Sequence, residues 1–177
     1  VLKSDYIEVH YNLGVAFQKN FQIDKAIKHY EFAISLKHSY PTAHNNLGLI
    51  YLGQNQIESA VKSFEWAVAY KHDFAEAYNN LGSALMEFND FDLSLENFQK
   101  ALSINPKYVE AHNNLGRLFM HLGQLDDAVA CFQKSIKINH DYEYAHNNLG
   151  LAFSDLGNLD DSMKSYKRAI SINPKYF

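Results

Sequence analysis

The stretch Ala43-His44-Asn45-Asn46-Leu47-Gly48 decides how this chain is read, because its core, Asn-Leu-Gly, returns at Asn12, Asn46, Asn80, Asn114 and Asn148, always 34 residues apart. Self-similarity at such a period marks a stack of like supersecondary units rather than one interleaved fold. With Ile7 as the first position of the register, five repeats span 7–40, 41–74, 75–108, 109–142 and 143–176 without an insertion. Position 7 is always leucine and position 8 always glycine: Gly14, Gly48, Gly82, Gly116 and Gly150. Position 24 is always aromatic (Tyr30, Phe64, Phe98, Phe132, Tyr166), and positions 20 and 27 hold only alanine or serine. Apolar residues recur at positions 7, 10, 11 and 14 and again at 17, 21, 24, 28 and 30. Both runs have helical period, so each repeat reads as two helices, A and B. The turn between them falls near position 15, where Asn55, Asn89, Gly123 and Gly157 accept a left-handed backbone with little strain, and where the first repeat carries Phe21 instead.

These residues resemble the tetratricopeptide repeats, whose 34-residue unit places Leu-Gly early in helix A, small residues and an aromatic in helix B, and often a proline near its end. Pro106 and Pro174 stand at the proline position, where His38, His72 and His140 replace it in other repeats. The resemblance covers essentially the whole chain. It implies an all-α fold, a right-handed superhelical solenoid of stacked helix-turn-helix repeats whose concave side is lined by helix A. Leu2 to Tyr6 match the closing residues of internal repeats, such as Leu36 to Tyr40. Residues 1–6 therefore read as the tail of a preceding repeat and 7–177 as the array. The chain stops at Phe177, where another repeat would open, without a polar capping helix. It reads as a segment of a longer protein, and end-to-end self-association through its uncapped termini is expected.

Composition narrows the partners. The chain has 177 residues, 47% hydrophobic and 20% charged, which is the balance of a soluble globular protein. Sixteen basic against 20 acidic residues give a net charge of −4, without the positive field of a nucleic-acid binder or of a protein held on an anionic membrane. No apolar run has the length of a transmembrane helix, and the start has no signal-peptide layout. The single cysteine, Cys131, can form neither an internal disulfide nor a zinc site of its own, so a reducing cytoplasmic or nuclear setting is expected. No phosphate loop, nucleophile elbow or zinc-protease motif occurs, so catalysis, cofactors and metals are not expected within this segment. His10, His44, His112 and His146 share position 4, one per repeat, too dispersed for one ion, and are expected to pack on the preceding helix B. Asp126-Asp127 and Asp160-Asp161 open helix B, where acids meet the helix dipole favourably.

Function should lie on the exposed face of helix A. Positions 2, 5, 6, 9, 12 and 13 share a face opposite the apolar stripe. Position 6 is asparagine in every repeat, against helical propensity, whereas position 9 has drifted through Val15, Leu49, Ser83, Arg117 and Leu151. A carboxamide offers an acceptor and donors, the complement of a peptide group. A row of Asn12, Asn46, Asn80, Asn114 and Asn148 would thus hold an extended polypeptide by its backbone. The run Ala43 to Leu47, with close copies at 111–115 and 145–149, resembles the asparagine-ladder arrays of the O-linked N-acetylglucosamine transferases, which implies that these five residues form such a ladder. Asn45, Asn79, Asn113 and Asn147, with Tyr11 in the first repeat, form a second row, and Leu49, Leu52, Met86, Met120 and Leu151 supply apolar contacts. The alternative is structural, with the amides bridging neighbouring helices.

The face carries Lys19 and Arg117 against Glu8, Glu76, Glu87, Glu110 and Asp155, a balance that favours a neutral or basic ligand. A clamp for a terminal carboxylate cannot be built, because the positions that would need lysine or arginine hold Asn, Tyr, Glu and Thr. On helix B, Phe32 and Trp66 occupy position 26, where later repeats have Lys100, Lys134 and Arg168. They are expected side by side as a second contact face. The expected function is a non-catalytic protein-protein interaction module for an extended polypeptide. One alternative is a structural or oligomerisation scaffold using the ends and the Phe32/Trp66 face; another is the substrate-recruiting arm of a glycosyltransferase-like enzyme whose catalytic domain lies outside this segment.

Overall fold

Ten helices and no strand form among the described residues of the computed structural model, which describes residues 2–175, with side chains from Tyr6 onward. They are α1 Leu2–Lys19, α2 Ile23–Leu36, α3 Pro41–Gly53, α4 Ile57–Tyr70, α5 Ala75–Glu87, α6 Phe91–Ile104, α7 Val109–His121, α8 Leu125–Ile138, α9 Glu143–Asp155 and α10 Leu159–Ile172. Odd-numbered helices are A and even-numbered ones B. The chain divides into two compact units, Val1–Asp90 with α1 to α5 and Phe91–Phe177 with α6 to α10. The stretch 2–6, matched in sequence to a repeat tail, is instead the first part of helix α1.

Every A-to-B turn closes in the same way. Position 15 takes a left-handed backbone in all five repeats, with φ of 56° at Phe21, 60° at Asn55, 63° at Asn89, 71° at Gly123 and 76° at Gly157. The next residue's N–H reaches back to the position-11 carbonyl, as in Gln56 to Tyr51 at 2.8 Å and Gln124 to Phe119 at 2.9 Å. Position 15 itself donates to position 12, as in Asn55 to Leu52 at 3.0 Å. This bond pair satisfies carbonyls that the end of helix A would otherwise leave open. Phe21 obeys the geometry although its side chain does not favour it, and its ring is 89% exposed.

Three of the four B-to-A turns are fastened by a histidine at position 4, which is Tyr78 in the third repeat. His44 Nε2 donates to the His38 carbonyl at 2.9 Å, His112 to that of Pro106 at 3.0 Å and His146 to that of His140 at 3.0 Å. These histidines therefore tie helix A to the tail of the repeat before it.

Glycine at position 8 and the ring at position 24 explain how closely A and B pack. A Cβ on Gly48 would lie 2.6 Å from Phe64 Cε1, one on Gly116 2.5 Å from Phe132 Cε1, and one on Gly14 2.6 Å from Tyr30 Cε1. The small residues at positions 20 and 27 are buried on the other helix, where Ser135 Oγ donates to the Val109 carbonyl at 3.0 Å and Ser162 Oγ to that of Gly150 at 2.8 Å. The core of the first unit gathers around Tyr30 with Ala26, Ala43, Leu47 and Ile50, and around Phe64 with Ala60, Leu81, Ala84 and Leu85. In the second unit Phe132 packs with Ala128, Leu149 and Ala152. Each cluster joins helix B of one repeat to helix A of the next. Burying such a ring is worth roughly 1.5–3 kcal/mol, which a lone helix pair could not capture.

Candidate functional site

Helix-A packing sorts the two asparagine rows into different environments. Position 5 is buried: Asn45 is 2% exposed, Asn79 5% and Asn113 4%. Asn147 is half-buried. The second row is thus not an open row of contacts: Asn45 packs where α3 meets α5, and Asn113 where α7 meets α9. Position 6 lies at the surface, with Asn12 exposed and Asn46, Asn80, Asn114 and Asn148 half-buried.

The rows are coupled from repeat to repeat. Asn80 Nδ2 donates to Asn45 Oδ1 at 3.0 Å, and Asn148 Nδ2 to Asn113 Oδ1 at 2.9 Å. In the first repeat Tyr11 stands at position 5, and Asn46 Nδ2 meets the hydroxyls of Tyr30 at 3.1 Å and Tyr11 at 3.4 Å. A carboxylate fixes the sense of one pair. Asn45 Nδ2 donates to Glu76 Oε1 at 3.3 Å, so Asn45 Oδ1 must be the acceptor and Asn80 the donor. Asn80 then keeps its own Oδ1 and a second amide hydrogen, neither spent on this partner. At Asn46, Asn80 and Asn148 the position-6 amide thus bridges to the preceding repeat, as the structural alternative expects.

Sequence periodicity did not reveal the part played by Tyr30. Its ring is fully buried, yet its hydroxyl donates to Gln18 Oε1 at 2.8 Å and accepts from Asn46. Burial pushes this phenol up to about 12, against the hydrogen bond from Asn46, so it stays protonated. The visible signal was tyrosine in place of phenylalanine at position 24.

The apolar contacts divide too. Leu49 and Leu151 are 37% and 42% exposed at position 9, whereas Met86 is 4% exposed and belongs to the core rather than to a binding face. Position 12 borders the apolar stripe: Leu52 and Met120 also pack against core clusters while remaining half-buried. An unbranched methionine folds readily onto such an edge.

Two adjoining depressions open on the helix-A face of the second unit, of about 320 Å³ and 290 Å³. Arg117 and Asn148 line both. The first adds Met120, His121 and Leu151, and the second Asn113, Asn114, Tyr142 and Tyr144.

Phe32 and Trp66 do not contact each other, contrary to the expectation from position 26. Each ring instead sits on the position-4 histidine of its own repeat, Phe32 on His10 at 4.1 Å and Trp66 on His44 at 6.4 Å between centroids. Trp66 also stacks on Tyr70, one turn along α4, at 5.6 Å and 16°. Phe32 and Trp66 remain 46% and 53% exposed. Burial, then Asp127, pushes the Cys131 thiol up to about 11 against the pull of Lys134, which leaves it a poor nucleophile. Among the described residues no group of three or more His, Cys, Asp or Glu is placed to hold a metal ion, and no helix is long and apolar enough to cross a membrane.

Stacked helix pairs, a repeating turn and a polar helix-A face define an α-helical repeat protein of the interaction class. The TPR repeat family matches residues 22–55, 50–88 and 116–157, and the tetratricopeptide repeat matches 75–108 and 143–176, with a further tetratricopeptide match at 97–130. The chain belongs to the tetratricopeptide repeat family. Among solved structures it is similar to MamA, at 26% identity and a TM-score of 0.79 over 92% of this chain and 95% of that one. It has the fold of YrrB, described as a TPR protein with an unusual peptide-binding site, at 23% identity and a TM-score of 0.72 over 94% and 86% of the chains. It also has the fold of pilF from Pseudomonas aeruginosa, at 16% identity and a TM-score of 0.86 over 98% and 79%. No curated protein matches the chain.

Proposed function

We propose that the chain is a non-catalytic interaction module whose helix-A face binds an extended polypeptide segment, with the position-6 asparagines reading the peptide backbone. The observation that carries this reading is the pre-orientation of those amides. Asn80 and Asn148 each spend one amide hydrogen on the preceding repeat and keep an acceptor and a second hydrogen at the half-exposed surface. Groups held in place by their own framework lose little entropy on binding, and carboxamides match the N–H and C=O of a peptide. Exposed Leu49 and Leu151 add apolar contact beside them. The peptide-binding site ascribed to YrrB supports the reading by analogy of fold. The stacked and exposed Trp66 and Tyr70 favour a second protein contact on the helix-B side of the first unit.

Selection of a random-sequence peptide library on the immobilised chain tests the main reading. Wild type is expected to enrich peptides, and enrichment should be lost in a Leu49→Arg/Leu151→Arg variant and in an Asn80→Ala/Asn148→Ala variant that retain wild-type helicity. Enrichment that survives both variants would move the site elsewhere, and a wild type that enriches nothing would sink the reading.

A further inference from the structure

We propose that the helix-A face of the second unit selects peptides carrying an acidic side chain, Asp or Glu, read by Arg117, beside an apolar residue held by Met120 and Leu151. This rests on the peptide-binding reading and names the ligand chemistry of its second-unit site. Arg117 stands at position 9 of α7, where the other repeats have Val15, Leu49, Ser83 and Leu151, so the cation is a departure peculiar to one repeat. Its side chain is half-buried and lines both depressions, and no acidic residue lines either of them. Asp161–Lys164 and Asp141–Arg168 form ion pairs that do not involve it, and Arg117 makes neither a hydrogen bond nor an ion pair among the described residues.

A partly desolvated guanidinium without a counter-charge is costly to keep and ready to be neutralised. Its planar fork of donors fits a carboxylate through two parallel hydrogen bonds. Asn148 lines the same two depressions and would hold the backbone of the residue so recognised. The volumes, about 320 and 290 Å³, lie at the small end of ligand sites, near 300 Å³, and suit one or two side chains rather than a folded partner. A lone arginine matches the single charge of a carboxylate. A phosphorylated side chain, carrying nearly two charges, would want a second cation, and no other lysine or arginine lines either depression. Summed over the whole face, acids outnumber bases, which points to a neutral or basic ligand. The local arrangement reverses that expectation at this one place.

The test is selection of a peptide library with amidated C-termini on the full chain, alongside Arg117→Gln and Arg117→Glu variants, with thermal melts to show that all three fold. Wild type is expected to enrich Asp or Glu at one position next to an apolar residue. Arg117→Gln should bind the selected peptide about tenfold more weakly, the scale of one charge-assisted bond. Arg117→Glu should still enrich peptides, now with Lys or Arg at that position. Wild-type enrichment that depends on Asn148 but shows no acidic preference would overturn this inference and leave the peptide reading standing, as would a preference unchanged in Arg117→Glu. Enrichment only from a library with free C-terminal carboxylates would overturn it in favour of chain-end recognition. No enrichment by wild type would remove both readings.

Discussion

At the scale of single residues, two positions show a side chain working against its local setting. Phe21 holds a left-handed backbone that costs a residue with a bulky Cβ about 1 kcal/mol or more, and its exposed ring recovers little of it. Replacement by asparagine, the residue at the same turn in the next two repeats, should raise stability by about 0.5–1 kcal/mol in chemical denaturation. A neutral or negative result would show that the phenyl ring contributes something the turn geometry does not reveal. Asparagine at position 6 is the second position. Five retained copies were legible as a signal, but the bonds that three of these amides make within the fold were not. At Asn46, Asn80 and Asn148 the partner lies 35 positions earlier, as from Asn80 to Asn45. Such a pairing depends on how one helix lies on the next, which no periodicity within a helix encodes.

At the scale of helices, propensity and packing make opposite forecasts at Gly48. Alanine in a helix interior is favoured over glycine by about 1 kcal/mol. Here, however, the new Cβ would lie 2.6 Å from a fully buried ring that has no flexible end to swing aside. Gly48→Ala should therefore destabilise the chain by about 1–3 kcal/mol. Gly53, at the end of the same helix, has nothing within 4 Å of its added Cβ, so Gly53→Ala serves as the control and should be neutral or mildly stabilising. Equal effects in urea unfolding would mean that the ring, not the helix spacing, yields. The helix pairs and their turns were readable because each rests on local chemistry: a residue tolerant of positive φ, a small residue at a close approach, an apolar stripe. Phe21 shows the limit of that logic, since the same left-handed turn forms there on a residue that does not favour it. Met86 shows another, because a border position can face either way and the packing of its neighbours decides.

At the scale of the whole molecule, the histidine ties make stability depend on pH. Burial holds His44 and His112 below the ordinary imidazole value of 6.5, and burial followed by the nearby His10 does the same for His29. The folded chain resists protons that the unfolded chain accepts, so this stability is fully present above about 6.5 and is lost as pH falls through the lowered folded values. The melting temperature should be lower at about pH 5 than at pH 7.5, and a His44→Gln/His112→Gln variant should show a flatter slope over that interval. An unchanged slope would mean that neither histidine is kept neutral by the fold. The ring set over Gly14, Gly48, Gly116 and Gly150 has a different kind of consequence, for ancestry. Neither partner can change first without passing through a weakened intermediate, so the two are locked together along any mutational path. Position 9, bound by no such partnership, was free to diverge, and it is there, in one copy of a duplicated unit, that an arginine could arise without disturbing its neighbours.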